Sequence, residues 1–288
     1  MINLRQQFPH YLKLIRFDRP IGSYLLMWPT LWALWTAASG VPDIKILIIF
    51  LLGVFVMRSA GCAINDFADK DIDGHVARTE DRPLASGLIQ PKEAIGVFIV
   101  LSLVALLLVL QLNTLTIKLS VVALLLAATY PFMKRVHMLP QVHLGVAFAW
   151  AVPMAYSALN NALPDLTNWL IFLTTIIWTT AYDTMYGMAD REDDLKLGLK
   201  STAILFGDYD KAAVGLMQLT VLFLLALIGY LQGLSGIYFL GLAIASVFFV
   251  YQQYLIRDRD RKLCFQAFLN NNRFGMTVFI GLALSYYV

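Results

Sequence analysis

The chain has 288 residues, 59% of them hydrophobic and 14% charged, with a mean hydropathy of +0.68. A water-soluble domain of this size has no place for that much apolar surface, so the composition excludes an ordinary soluble enzyme and fits an all-α, polytopic integral membrane protein. The net charge of +3 excludes nothing by itself, while only two cysteines, Cys62 and Cys264, argue against a disulfide framework or a Cys/His metal site.

Residues 1–20 carry Arg5, Lys13, Arg16, Asp18 and Arg19 without an apolar core of signal-peptide type. They read as a cytoplasmic N-terminal segment, not a cleaved leader. Apolar windows long enough to cross ~30 Å of hydrocarbon then recur nine times, near 21–39, 44–64, 94–112, 115–133, 140–159, 168–188, 212–231, 235–254 and 273–288. The length suits one membrane domain over 1–288 with no second soluble one.

Basic residues set the orientation. Of the 22 lysines and arginines, 19 fall in the N-terminal segment and in the loops after the second, fourth, sixth and eighth spans. Only Lys45 and Lys118 fall on the other side, and Arg58 lies inside the second span. The positive-inside rule then puts the N-terminus in the cytoplasm and Val288 outside. The external loops are short and turn-like, and the two longest internal loops are the acidic ones, where function concentrates.

The first of these loops opens with Asn65-Asp66-Phe67-Ala68-Asp69-Lys70-Asp71-Ile72-Asp73, directly after the second span. The second cluster, Asp183, Asp190, Glu192, Asp193 and Asp194, ends the sixth span in the same way about 120 residues later. That duplication is consistent with two four-helix halves plus a ninth helix. If the second span continues as a helix, Asp66, Asp69 and Asp73 share one face, bordered by Asn65. Asp183, Tyr186, Asp190 and Asp194 share one face of the sixth span likewise. Stacked like charges near lipid are costly without a compensating cation. Hard oxygen ligands with water access suit Mg²⁺, which fills its shell with substrate phosphate oxygens. The plain alternative is a set of solvated loop acids, and Asp71, Glu80, Asp81, Glu192, Asp208 and Asp210 fit that description.

Asn65-Asp66-x-x-Asp69-x-x-x-Asp73 resembles the first aspartate motif of the UbiA superfamily of membrane prenyltransferases, and Asp183-x-x-Tyr186-x-x-x-Asp190-x-x-x-Asp194 looks like the second. Further stretches are similar to the members that prenylate 4-hydroxybenzoate. They are Arg16-x-Asp18-Arg19-Pro20-Ile21-Gly22, Trp28-Pro29-Thr30-Leu31-Trp32-Ala33, Arg78-x3-Arg82-Pro83-Leu84-x2-Gly87, Tyr130-Pro131-x2-Lys134-Arg135 and Gly198-x-Lys200-Ser201-Thr202. The likeness runs in order from about Leu14 to Tyr287, with no departure at a motif aspartate.

The resemblance implies a Mg²⁺-dependent enzyme of a bacterial inner membrane with a cytoplasmic active site. It implies that a polyprenyl diphosphate ionises and alkylates 4-hydroxybenzoate beside its phenol oxygen, a step of ubiquinone synthesis. Asn65, Asp69, Asp73, Asp190 and Asp194 would hold Mg²⁺, with Asp66 and Asp183 completing the shells, and Asp69, Asp73, Asp190 and Asp194 would be the catalytic acids. Arg78, Lys134 and Lys200 are the cations for the leaving diphosphate. Arg58 and Arg135 are the candidates for the acceptor's carboxylate, with Tyr130 and Tyr186 beside them. For Arg58 the structural alternative is an ion pair with a motif acid, and for Arg135 it is a positive-inside anchor. The aromatic residues Trp28, Trp32, Tyr130, Trp178 and Tyr182 could stabilise an allylic cation in a dry pocket. The partners expected are the two substrates and the lipid bilayer, with no nucleic acid.

Other signals are weaker. Gly198-Leu199-Lys200-Ser201-Thr202 lacks the Gly that a phosphate-binding P-loop needs immediately before its Lys. The four histidines show no metal-pair spacing, and Arg257 to Lys262 reads as lipid head-group contact. Asp73-Gly74-x-x-Ala77-Arg78-x8-Gly87 matches half of the CDP-alcohol phosphotransferase signature, but Pro91 and Ile95 stand where its metal-binding acids belong. A cation transporter would want polar residues through the midplane, which the third, seventh and eighth spans lack.

Overall fold

A computed structural model describes residues 4–76 and 78–288. An amphipathic helix, α1 (Leu4–Leu14), precedes α2 (Ile21–Ala38), α3 (Ile44–Ala68), α4 (Pro91–Val109) and α5 (Thr114–Thr129). After a 3₁₀ turn (Tyr130–Phe132) and a short helix (Met133–Val136) come α6 (Pro140–Ala149), α7 (Ala151–Asn160) and α8 (Leu166–Lys196). A short helix (Thr202–Phe206) leads to α9 (Asp210–Leu231), α10 (Gly236–Ile256) and α11 (Arg261–Ser285). The described residues are all-helical, and six stretches among them are long and apolar enough to cross a membrane: Ile44–Ala68, Pro91–Val109, Thr114–Val136, Pro140–Asn160, Thr202–Leu231 and Gly236–Ile256.

The boundaries have local causes. Asn113, between the windows near 94–112 and 115–133, caps α5 by accepting from the Thr116 N–H at 3.0 Å. Asp43, Asp165 and Asp260 cap α3, α8 and α11 in the same way. Two boundaries differ from expectation. The last helix begins at Arg261 and not near 273, so Arg273 lies inside a helix and not in a loop. Within that helix the polar run Asn270-Asn271-Asn272 is satisfied by protein. Asn271 accepts from Trp178 Nε1 and Asn272 from Trp28 Nε1, both at 2.8 Å, and Asn270 accepts from Gln252 Nε2 at 3.0 Å. The second difference is α3, which ends at Ala68 with Asp69 as its cap. Asp73 is reached through a separate 3₁₀ turn, Asp73–His75, not along a continuing helix.

Helix α8 is the central rod and packs against α2, α6, α9 and α11. The main core gathers there, with Trp32 stacked on Trp178 at 5.2 Å and Trp178 edge-on to Tyr182 at 5.4 Å. Trp32, Trp178 and Tyr182 are each at most 1% exposed, so these three of the five aromatics expected in a dry, cation-stabilising pocket pack in the core. Where α10 crosses α11, Gly241 and Gly281 face each other so closely that a Cβ on Gly241 would lie 3.0 Å from the Gly281 α-carbon. By contrast α4 and α5 are predominantly apolar yet bury only Ala94, Val109 and Thr116, as expected of helices at the periphery of a membrane bundle.

Candidate active site

The two acidic clusters meet at one end of the bundle, at the C-terminal ends of α3 and α8. Asp69 accepts from Lys134 Nζ at 2.7 Å, and from Asn65 Nδ2 and Arg135 Nη2 at 3.3 and 3.4 Å. Burial pushes the Asp69 carboxyl above its ordinary pKa, against the opposing pull of Lys134. Asp73 accepts from Arg82 Nη1 at 2.8 and 3.0 Å. Asp66, fully buried, is held by Arg16 Nη2 at 2.7 and 3.0 Å and by Arg82 at 3.2 Å.

From the second cluster, Asp190 takes a bidentate pair from Arg78, Nε at 3.0 Å and Nη2 at 2.6 Å. The same guanidinium lies over the Tyr186 ring, 4.3 Å from its centroid. The loop of the first cluster is therefore tied directly to the helix of the second. Asp183 and Asp194 have no ion-pair partner among the described residues, although the fields of Arg58 and Arg78 reach Asp183 and those of Lys134 and Arg78 reach Asp194.

Two of the expected cations are engaged differently. Lys200 Nζ donates to the Val136 carbonyl at 2.9 Å, and its own N–H donates to the Lys134 carbonyl at 3.0 Å, so Lys200 braces the segment that carries Lys134. Arg135 donates to the Ala68 carbonyl as well as to Asp69, which makes it a cap on the C-terminus of α3. Arg58 makes no ion pair among the described residues. Its Nη1 donates to Cys62 Sγ at 2.8 Å, and its Nε is buried without a partner.

Arg58 stands in the wall of an apolar cavity of about 600 Å³, with Gly61 and Tyr130 close by. Tyr130 Oη donates to the Gly61 carbonyl at 3.3 Å. The rest of the lining comes mainly from α3, α4, α5, α6 and α7, with Leu26 of α2, and includes Ile99, Leu103, Val121 and Leu125, which are also exposed on the outside of the bundle. Arginine 58 and asparagine 65 lie seven residues apart on α3, so a charged group in an apolar cavity shares a helix with the acidic mouth.

In this conformation no three His, Cys, Asp or Glu among the described residues lie close enough together to hold one ion. The donor chemistry nevertheless fits a hard divalent cation, because the site is built from carboxylate and amide oxygens; in this conformation arginine and lysine compensate Asp66, Asp69, Asp73 and Asp190, while Asp183 and Asp194 make no ion pair among the described residues. Sequence reasoning passed over Arg16 and Arg82 as site residues. Arg82 was visible in the spacing Arg78-x3-Arg82, whereas Arg16 comes into place through a left-handed turn at φ 57 that no local pattern announces.

Residues 26–279 match the UbiA prenyltransferase family. The chain is 58% identical over 276 residues to a 4-hydroxybenzoate octaprenyltransferase of Aeromonas salmonicida, covering 96% of this chain and 95% of that protein. It is 59% identical over 273 residues to the protein of the same description from Aliivibrio fischeri, covering 95% of each. Among solved structures it is similar to the apo form of a UbiA homolog from Aeropyrum pernix K1, at TM-score 0.79 and 26% identity over 91% of this chain and 97% of that one. The fold is also that of a UbiA homolog from Archaeoglobus fulgidus bound to GPP and Mg²⁺, at TM-score 0.69 and 18% identity over 95% of this chain and 99% of that one.

Proposed function

The chain belongs to the UbiA prenyltransferase family, and we infer that it transfers a polyprenyl group from a polyprenyl diphosphate to 4-hydroxybenzoate. The prenyl group joins the ring carbon ortho to the hydroxyl, and diphosphate is released in a step of ubiquinone synthesis. The observation that carries this reading is the pairing of an apolar cavity with an acidic mouth, with one arginine, in the cavity wall and on the helix of the mouth, that pairs with no carboxylate among the described residues. The relatives' names supply the acceptor and point to a long donor.

Each part of the site has a task. Asn65, Asp69, Asp73, Asp190 and Asp194, with Asp66 and Asp183 available to complete the shells, would hold Mg²⁺. Bound there, it supplies Lewis-acid neutralisation of the diphosphate leaving group. Support comes from the oxygen donor set and from the Mg²⁺ described in the archaeal homolog. Arg78 and Lys134 take phosphate oxygens, and Lys200 keeps Lys134 in place. The cavity accepts the prenyl tail and keeps water from the allylic carbon. Arg58 binds the acceptor's carboxylate beside Tyr130, while Tyr186 orients Arg78. The C–O bond of the donor breaks, the ring carbon forms the new C–C bond, and the ring then loses its proton.

The topology that suits this chemistry has nine membrane spans in two four-helix halves plus one, an N-terminus in the cytoplasm, and an active site facing the cytoplasm from a bacterial inner membrane. The distribution of lysine and arginine supports it.

The test uses purified protein in detergent with a polyprenyl diphosphate, 4-hydroxybenzoate, and either Mg²⁺ or EDTA, read by mass spectrometry. The C-prenylated acid forms only with Mg²⁺. Release of diphosphate without that product would keep the donor site and overturn the acceptor. No release in well-folded protein would overturn the reading altogether.

A further inference from the structure

The seat of Arg58 has an unusual shape. Its guanidinium abuts Gly22, buried in the first turn of α2. A Cβ built on Gly22 would overlap Nε and stand 2.6 Å from Nη2 and 2.8 Å from Cζ. Nε and Nη2 are both nearer to that position than the central Cζ is, so the guanidinium meets α2 with its Nε–Nη2 edge and not with its face. This contact explains why Nε is buried without a partner. On its other side Nη1 is held by Cys62 Sγ, one turn along α3. One edge is thus docked against a bare α-carbon and one nitrogen is tethered, which leaves the terminal Nη1–Nη2 edge for an anion.

We propose that Gly22 is a positioning residue for acceptor binding: the missing Cβ lets Arg58 dock edge-on against α2, and this presents its terminal edge to the acceptor's carboxylate. The proposal rests on the reading of Arg58 as the acceptor's partner. The three atoms nearest to a methyl group at position 22 all belong to the far end of a flexible side chain, so the guanidinium is expected to yield before the helices do. Alanine also favours a helix over glycine. Gly22→Ala is therefore expected to keep or raise the thermal stability of the protein while it moves Arg58 off its seat. Few substitutions separate folding from binding so cleanly.

The experiment compares wild type, Gly22→Ala, Arg58→Ala and the double variant in detergent with Mg²⁺. It records Tm, KM for 4-hydroxybenzoate, KM for the polyprenyl diphosphate, and the preference for 4-hydroxybenzoate over the uncharged 4-hydroxybenzamide. Gly22→Ala should raise the acceptor KM about tenfold or more, as expected for a weakened charge-assisted hydrogen bond. It should also erode the preference for the acid, leave the donor KM within about twofold on the same reasoning, and not lower Tm. If Gly22 acts through Arg58, the double variant is no worse for acceptor than Arg58→Ala alone. An unchanged acceptor KM in Gly22→Ala, a further loss in the double variant, or a fall in Tm each overturns the proposal while leaving Arg58 in its role. An unchanged acceptor KM in Arg58→Ala instead overturns the reading of Arg58 itself.

Discussion

The first acidic cluster sits where a helix stops, and the second sits along a helix that keeps going. Helix α3 ends at Ala68, and the chain turns twice to bring in Asp73, Arg78 and Arg82. Helix α8 runs unbroken from Leu166 to Lys196 and carries Asp183, Asp190 and Asp194 on one rod. The means of support differ accordingly. In the first cluster Asp66, Asp69 and Asp73 each rest on cations, some from distant segments. In the second, backbone hydrogen bonds fix the acids, and Asp190 borrows Arg78 from the first cluster's loop. Turns hold a geometry only if side chains tie them down, so the first cluster needs its arginines for shape as much as for charge.

The largest effect should come from the acids that both designs serve. Asp69→Ala or Asp190→Ala is expected to cut turnover by roughly 10²–10³-fold or more while the protein still inserts and folds. Formation of the prenylated acid at the wild-type rate in either would break the metal assignment. Next comes Arg82→Ala, which removes cations from Asp66 and Asp73 together and should cost about 3–5 kcal/mol of stability. Thermal denaturation in detergent measures it, and a small change would show that the loop does not depend on its charges. Arg78→Lys keeps the charge and loses the two-point fork on Asp190. Turnover should fall about tenfold, with the donor KM rising more than the acceptor KM. Smallest is Arg261→Ala. Arg261 pairs with Asp193 and an exposed Glu192 at the rim, and its loss should shift stability by less than about 1 kcal/mol. A larger shift would mean that the second cluster, too, relies on arginine ties.

The sequence was legible where a pattern is local. Apolar length places six of the nine expected windows on helices long enough to cross a membrane, and helical spacing places Asp183, Asp190 and Asp194 along one helix, because both depend only on the neighbours of each residue. It was misleading where a distant partner rewrites the local signal. The window near 273–288 misses the start of α11, where Asn270 to Asn272 take hydrogen bonds from Gln252, Trp178 and Trp28 on other helices. Trp32 and Trp178 look like pocket walls until their stacking shows them to be core. The seat of Arg58 was not legible at all, since it depends on what Gly22 lacks, 36 residues away in the chain.

The cavity beside Arg58 is walled by Ile99, Leu103, Val121 and Leu125, apolar residues that are also exposed on the outside of the bundle. A long-chain donor that enters there arrives by diffusing in two dimensions, and the quantity the enzyme senses is its mole fraction in the membrane, not its molarity in the test tube. Adding empty detergent micelles or lipid at fixed bulk amounts of everything else should therefore slow the reaction by dilution alone. The water-borne acceptor should show no such dependence.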